Sequence, residues 1–223
     1  TTLDHNISAL AIDGKFDDCQ AMVKQAFADA DLKHLNLSSA NSINIGRLIP
    51  QTLYYFYSYL KLRDFPEEIV FSIPSGNFGN MMGCVLAKNM GVPIKKIVAS
   101  VNENDEVPTF LNSGEYEKIV PSKNCISNAM NVGHPSNLAR LIAIYGGVMD
   151  EQGNVSKLPD MDKLNGDIFS TSVTDAETKA LVKEFYEKNN IFIEPHGAVG
   201  IKGLMDYRAT TNDNTLAVTL ETA

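Results

Sequence analysis

The sequence predicts an α/β protein in which a layered, mostly parallel β-sheet carries helices on both faces. Strand-like and helix-like segments alternate along the 223 residues, and the strand-like runs are apolar enough for a sheet that is covered on both sides. Hydrophobic residues make up 44% of the chain and charged residues 21%, which is the balance of a globular protein. That balance excludes disordered, collagen-like and coiled-coil proteins.

The first elements are predicted from local patterns. Residues 8–12 alternate like a strand. Asp17 and Gln20 have the spacing of a capping box, so we expect a helix to begin near Asp17. Its predicted apolar face consists of Cys19, Val23, Ala26, Phe27 and Ala30. A second, longer helix is expected over 44–61, with a kink at Pro50.

A βαβ unit is predicted next. Residues 69–73 and 97–101 are short apolar runs that predict buried strands. Between them we expect a helix that begins after Gly79 and ends before Pro93.

The remaining elements complete the predicted sheet and its cover. Helices are expected at 136–145 and 175–189, and a strand at 191–194. Residues 146–167 are rich in glycine, proline and polar residues and predict a long loop. Residues 216–220 alternate as one face of a strand, with no polar tail or helix after them. Because domains usually end in solvated polar residues, we expect this chain to be part of a longer protein.

Charge and cysteine content limit the function. Nineteen basic against 27 acidic residues give a net charge of −8, so we expect neither nucleic acid nor an anionic membrane as a partner. No apolar run approaches the roughly 18–20 residues of a membrane span. The three cysteines, Cys19, Cys84 and Cys125, are odd in number and widely spaced, which argues against a disulfide framework. We therefore expect the protein to be located in the reducing cytoplasm. The cysteines and four histidines lack metal-ligand spacing, so no metal site is expected.

The strongest local signal joins the predicted strand at 69–73 to the following helix. The loop consists of Ser75, Gly76, Asn77, Phe78, Gly79 and Asn80. N–H groups at a helix N-terminus have no intrahelical partners and favour anions, and glycines let the backbone approach phosphate oxygens. The loop contains no lysine or arginine, and it is neither a Walker A nor a Rossmann sequence. A plain βα turn is the equally weighted alternative.

A second polar cluster surrounds the start of the predicted helix at 44–61. Arg47 could bind a small anion through its forked charge, with hydroxyl and amide groups to orient it. Those polar groups belong to Asn41, Ser42 and Asn44. The alternative, which the residues alone favour, is a capped helix with one exposed arginine.

Two further clusters lie in the C-terminal half. Residues 127–137 form a polar loop in which His134 is expected to be solvated or hydrogen-bonded rather than catalytic. Residues 194–200 predict a strand end that leads into a helix, and a capped glycine-rich turn is equally compatible with them.

Together with residues 13–20, these four clusters resemble the threonine synthase family in content and order. The members are pyridoxal-phosphate (PLP) enzymes of the tryptophan synthase β-like fold, and the resemblance is to the bacterial and fungal branch. It extends over the whole chain but only about half of the enzyme. It implies that residues 1–223 are part of the PLP-binding region, mostly of the large domain, without the N-terminal part and the C-terminal end.

The resemblance also implies roles for individual residues. Residues 75–80 would wrap the PLP phosphate, and Thr222 would lie beside the pyridine nitrogen. The phosphate of the substrate would be held by Asn41, Ser42, Asn44 and Arg47. Asn131 stands where many relatives are expected to carry aspartate, so a charged role at this position is not expected.

The implied activity is that of a lyase. It converts O-phospho-L-homoserine and water into L-threonine and phosphate, the last step of threonine biosynthesis. The lysine that forms the Schiff base with PLP is expected upstream of this chain, because Lys15 belongs to a different motif. We therefore predict no catalytic residue within the 223 residues and no turnover by this chain alone.

Two alternatives remain open at this point. One is another PLP-dependent eliminating enzyme, of the threonine dehydratase or cysteine synthase type. The other is a catalytically silent phosphate-binding module that kept the sheet and lost the chemistry.

Overall fold

A computed structural model describes residues 5–62 and 67–221. The chain divides into two units, one up to Leu37 and one from Ser38 onward. The described helices are α1 (Phe16–Ala28), α2 (Thr52–Lys61), α3 (Gly79–Asn89), α4 (Glu106–Ser113), α5 (Leu138–Ile144), α6 (Met161–Asp167), α7 (Asp175–Asn189) and α8 (Pro195–Thr211). The described strands are β1 (Ile69–Pro74), β2 (Ile94–Val101), β3 (Val148–Met149), β4 (Val155–Lys157), β5 (Ile168–Ser172) and β6 (Ala217–Thr219). Short 3₁₀ turns occupy Ala30–Leu35, Ile45–Arg47, Ile49–Gln51 and Asn128–Met130.

The main sheet is parallel, with strand order β5-β2-β1-β6. All six residues of β1 are buried, as expected for the central strands of a sheet with helices on both sides. The carboxyl ends of the four strands meet at one edge of the sheet, which is where ligands bind in open α/β folds.

Alternate side chains of β1 enter two different cores. Phe71 and Ile73 join the larger core, to which α3, α4 and α5 contribute. Val70 packs with Val98 and with Tyr207 of α8 on the opposite face. The predicted fold class, a mostly parallel sheet with helices on both faces, is confirmed.

Most of the elements that have a strong sequence pattern are also confirmed. The predicted strands at 69–73 and 97–101 correspond to β1 and β2, and the predicted helix between them is α3. The helices expected at 136–145 and 175–189 are α5 and α7.

Two predicted strands are wrong. Residues 8–12 and 191–194 adopt no strand conformation. Residues 8–12 are exposed, and alternation stabilises a strand only when a neighbouring strand supplies hydrogen bonds and a core supplies burial.

Two longer segments need correction as well. Of the helix expected over 44–61, only α2 is α-helical. The part before it forms two 3₁₀ turns, and Pro50 lies in the second of them. Residues 146–167, expected to be a loop, contain the β3–β4 hairpin and α6.

The N-terminal unit contains the predicted helix, but its capping residue and the burial of its apolar face differ from the prediction. The Asp18 carboxylate accepts a 2.7 Å hydrogen bond from the Lys15 backbone N–H, so the cap lies at Lys15 and not at Asp17. The predicted apolar face is largely exposed, with 39% of both Val23 and Phe27 accessible. Within the described ranges, no helix has the length and apolar character that a bilayer crossing requires.

Candidate functional site

A cavity of about 250 Å³ opens at the carboxyl end of β1. One wall consists of residues 75–80, which we call the cup loop. Facing it are some residues of the segment 41–47, which we call the opposite wall. The cavity is lined by Ala40, Asn41, Ser42, Arg47, Gln51, Pro74, Ser75, Gly76, Asn77, Phe78, Gly79, Asn80, Met81 and Ala129. The structure thus brings together all predicted residues of the cup loop and three of the four predicted residues of the second cluster.

Glycines let the cup loop pack closely against its surroundings. A Cβ atom on Gly76 would lie 2.7 Å from the Met130 Cα, which is closer than real Cβ contacts. A Cβ atom on Gly79 would lie 3.0 Å from the Ser42 Cβ. Side chains at these two positions would therefore displace the neighbouring segments.

The cup loop presents free backbone donors. Within the described residues, the N–H groups of Gly76, Asn77, Phe78 and Gly79 donate no hydrogen bond to the protein. The first bond of α3 runs from the Met82 N–H to the Phe78 carbonyl, at 2.9 Å. The partial positive charge of the helix terminus and the free N–H groups can together hold an anion.

Phe78 combines a buried aromatic ring with a left-handed backbone. Its φ is 61° and its ψ is 15°, a conformation that non-glycine residues rarely adopt. The side chain is 2% exposed and belongs to the main core. The buried ring holds the residue in this conformation, and the turn directs the chain from β1 into α3.

Side chains of the cup loop are used mainly for structure. The Ser75 hydroxyl donates to the Ile73 carbonyl at 3.1 Å, and the Asn80 Oδ1 atom accepts from the Tyr55 hydroxyl at 2.7 Å. Asn77 donates through Nδ2 to the Ser42 hydroxyl at 2.8 Å. Its Oδ1 atom accepts the Ser136 backbone N–H at 2.7 Å. These side chains are engaged with the protein, so the backbone N–H groups of the loop are its main donors for an anion.

The opposite wall is built from short polar turns. The Asn41 Oδ1 atom accepts from the Ser42 hydroxyl at 3.2 Å. The Asn44 Oδ1 atom accepts the Gly46 N–H at 3.0 Å and caps a 3₁₀ turn, and Asn44 does not line the cavity. Arg47 lines the cavity and is exposed, and its guanidinium has no hydrogen-bond partner within the described residues. Arg47 is thus the group on this wall that is best placed to meet an anion.

Arg140 also supports this wall, although the sequence alone does not reveal it. Arg140 is half-buried on α5, and its guanidinium donates to the carbonyl oxygens of Ser42, at 2.8 Å, and Ile43. It also donates to the Asn137 Oδ1 atom at 2.5 Å. Burial lowers the pKa of Arg140. Ser42 and Ile43 are 98 and 97 positions away along the chain, so no local pattern reveals these two contacts.

Glu194 and His196 support the turn behind the cup loop. The His196 Nε2 atom accepts the Ala129 N–H at 3.1 Å, which leaves the ring proton on Nδ1, where it is donated to the Glu194 carboxylate. That carboxylate also accepts the Gly197 N–H at 3.0 Å. Burial raises the Glu194 pKa, but the hydrogen bonds from His196 and Gly197 outweigh it and hold the pKa below its ordinary value. Residues 194–200 therefore combine a capped helix start with a support for the site.

Asn131 belongs to a buried amide network beyond β2. Its Oδ1 atom accepts from the Asn102 Nδ2 atom at 2.9 Å and from the Cys125 N–H at 3.1 Å. The Asn102 Oδ1 atom in turn accepts from the Asn104 Nδ2 atom at 2.8 Å. Asn131 thus has a neutral, structural role in this network.

His134 is a hydrogen-bonded loop residue, as predicted. Its Nδ1 atom lies 2.8 Å from the Tyr116 hydroxyl, and its Nε2 atom lies 3.0 Å from the Glu151 carbonyl oxygen. Among the residues that the structure describes, no cluster of three or more potential ligands could hold a metal ion. Thr222, predicted beside the pyridine nitrogen, lies outside the described residues.

The family to which this chain belongs follows from its similarity to known proteins. The profile of the family "Pyridoxal-phosphate dependent enzyme" matches residues 4–222, nearly the whole chain. This chain belongs to the pyridoxal-phosphate dependent enzyme family. A free-amide cup at a helix N-terminus suits such a family, because the cofactor carries a phosphate.

Individual family members agree with the resemblance seen in the sequence. Threonine synthase from Serratia marcescens is 41% identical over 207 residues, which are 92% of this chain and 45% of that protein. Threonine synthase from Schizosaccharomyces pombe is 32% identical over 259 residues, with 100% of this chain and 50% of that protein covered. The chain spans about half the length of the curated relatives that it matches.

Solved structures extend the comparison to three dimensions. The crystal structure of threonine synthase from Escherichia coli matches 100% of this chain and 48% of its own, with a TM-score of 0.83 and 37% identity. PLP-bound threonine synthase from Brucella melitensis matches 98% of this chain and 49% of its own, with a TM-score of 0.81 and 31% identity. A threonine deaminase with a TM-score of 0.53 is only 14% identical, so it shares the fold alone.

Proposed function

We propose that this chain forms the cofactor-phosphate cup and part of the substrate pocket of a threonine synthase. The enzyme would convert O-phospho-L-homoserine and water into L-threonine and phosphate in the cytoplasm. The observation that carries the proposal is the shared cavity, which is lined both by the cup loop with its free N–H groups and by Arg47, whose guanidinium has no partner in the described part of the chain. Relatives of that name at 32–41% identity support it.

The cup loop fits the phosphate of PLP. Gly76 and Gly79 let the loop pack closely against Met130 and Ser42, and this packing fixes the backbone that presents the N–H groups. N–H groups and the dipole of α3 would hold the phosphate, since the loop contains no basic residue. Asn77 would position the loop through its side chain and bind phosphate through its backbone. Thr222 remains the proposed partner of the pyridine nitrogen.

The opposite wall fits the second anion, the phosphate of the substrate. The planar guanidinium of Arg47 can make two parallel hydrogen bonds to one phosphate group. Ser42 and Asn41 would contribute polar contacts, whereas Asn44 would shape the turn that presents Arg47. Placing both anions in one cavity would set the substrate beside the cofactor.

Bound PLP would supply the electron sink that allows protons to be removed next to the substrate amine. In the overall reaction, the Cγ–O bond breaks and phosphate leaves, and Cγ gains a proton in its place. Cβ loses one proton and gains the hydroxyl of water, and the other proton of water goes to the released phosphate. The described cavity is lined by no lysine. We therefore propose that the lysine that anchors the cofactor lies in the part of the longer enzyme outside residues 1–223, and that this chain alone is inactive.

Phosphate release tests the function. The full-length protein that contains these residues is expected to release phosphate from O-phospho-L-homoserine and form threonine in equal amounts. The 223-residue chain, supplied with PLP, is expected to release none above background. Turnover by the short chain would refute its dependence on the missing part, and a full-length protein that prefers threonine or O-acetylserine would indicate a dehydratase or a cysteine synthase.

Cofactor absorbance tests the remaining alternative. The full-length protein is expected to show the band of lysine-linked PLP, which borohydride abolishes. A catalytically silent phosphate-binding module would show no such band, so its absence would contradict the proposed enzyme.

A further inference from the structure

Four residues form a closed ring of hydrogen bonds beside the site. Arg140 donates to the Ser42 carbonyl at 2.8 Å, and the Ser42 hydroxyl accepts from the Asn77 Nδ2 atom at 2.8 Å. The Asn77 carbonyl accepts from the Asn137 Nδ2 atom at 2.9 Å, and the Asn137 Oδ1 atom accepts from Arg140 at 2.5 Å. The ring connects α5, the cup loop and the opposite wall.

Arg140 is the only charged member of this ring. Within the described residues it makes no salt bridge, and its donors go to two successive carbonyls and one side-chain amide. Burying part of a guanidinium without a carboxylate partner costs desolvation free energy. Strong hydrogen bonds are needed to compensate for that cost. The rigid fork of arginine suits neighbouring carbonyls in a way that the compact charge of lysine does not.

The opposite wall needs such an anchor. Asn41 and residues 44–47 are exposed, and the wall contains only one 3₁₀ turn, without strand pairing or an α-helix. The carbonyls of Ser42 and Ile43 are the points at which Arg140 fixes its backbone. Arg47 follows within five residues, so its distance from the cup loop depends on that backbone.

We propose that Arg140 is a positioning residue that fixes the opposite wall at the distance from the cup loop at which Arg47 meets the substrate phosphate. This role rests on the proposed function and adds a residue to it. Arg140 does not line the cavity and acts through the Ser42 and Ile43 backbone. It therefore governs substrate affinity more than cofactor affinity.

Kinetics of the full-length protein test the role. Arg140→Met is expected to raise the KM for O-phospho-L-homoserine about tenfold or more, because hydrogen bonds to a charged group are lost. The affinity for PLP is expected to change less than about threefold, since the N–H groups of the cup loop remain. Arg140→Lys should recover part of the KM. Arg208→Met is the matched control, because Arg208 is also half-buried and donates to the Thr215 carbonyl at 3.1 Å, away from the ring.

Amide hydrogen exchange without substrate provides a second readout. Arg140→Met should increase exchange in residues 38–51 and leave α7 and the β3–β4 hairpin unchanged. A KM and exchange pattern equal to those of Arg208→Met would overturn the proposal. Exchange raised uniformly over the whole chain, in both Arg140→Met and Arg140→Lys, would also overturn it, since that result indicates general stabilisation alone.

Failure of the proposed function would be recognised separately. If the unmodified full-length protein does not turn over O-phospho-L-homoserine, the proposed function is wrong. The exchange comparison still decides whether Arg140 holds the opposite wall, because it needs neither substrate nor turnover.

Discussion

The two walls of the cavity are built in different ways. The cup loop lies between a buried strand and a helix, and only Asn77 and Gly79 in it are partly exposed. The opposite wall is largely exposed and is held by side-chain hydrogen bonds from Asn77 and Arg140. Packing thus shapes the wall proposed for the cofactor, whereas a few polar contacts shape the wall proposed for the substrate. Substrate preference can therefore change at the second wall without rebuilding the first.

The largest expected effect is at the packed wall. Gly76→Val places a side chain against the Met130 backbone and is expected to lower the free energy of unfolding by about 1–3 kcal/mol. Thermal unfolding and PLP titration of the full-length protein should both show the loss. Gly166→Ala is the control, since nothing lies within 4 Å of its Cβ position and α6 tolerates alanine. Equal effects of the two substitutions would contradict the role of packing.

The next effect is at the link between the walls. Asn77→Ala removes bonds to Ser42 and Ser136, and we expect a loss of about 1–2 kcal/mol of stability. Hydrogen exchange should rise in residues 38–51 more than in β1. Asn189→Ala, which removes an exposed amide bond to the Phe185 carbonyl, should change stability by less than about 0.5 kcal/mol. Unchanged exchange in Asn77→Ala would show that the walls are independent.

Arg47 should affect binding without affecting stability. Arg47→Gln is expected to change the free energy of unfolding by less than about 0.5 kcal/mol, because the side chain is exposed and unpaired within the described structure. The KM for O-phospho-L-homoserine should rise about tenfold or more, since a charged hydrogen bond to phosphate is lost. Arg47→Lys keeps the charge but not the fork, so an intermediate KM is expected. A KM unchanged in both variants would remove Arg47 from the substrate site.

The smallest effect concerns pH at the support behind the cup loop. The folded-state pKa of Glu194 lies below its ordinary value, so the carboxylate stabilises the fold above about pH 4.3, and this contribution is lost as the pH falls through the folded-state pKa. The effect should be small because the carboxylate is half-exposed and screened by solvent. Unfolding measured between pH 7 and pH 3 should show a smaller pH dependence in Glu194→Gln. An identical pH dependence in both proteins would contradict this assignment.

The sequence predicted the packed wall better than the wall held by side chains. β1, the cup loop and α3 follow from adjacent apolar runs and glycines, which are local signals. Arg140 and the His196–Ala129 bond depend on contacts between residues 67 or more positions apart, so no spacing rule finds them. Residues 8–12 show the converse error, since their alternating pattern predicts a strand, yet they form none and pair with no strand among the described residues.

The left-handed turn at Phe78 limits how this position can evolve. Glycine would relieve the torsion, but it would remove a ring that fills the main core, and large-to-small changes there cost about 3–5 kcal/mol. Other large apolar residues would fill the space but keep the unfavourable torsion. Saturation mutagenesis at this codon should therefore return few functional substitutions, and a successful glycine would need a second, volume-restoring mutation nearby.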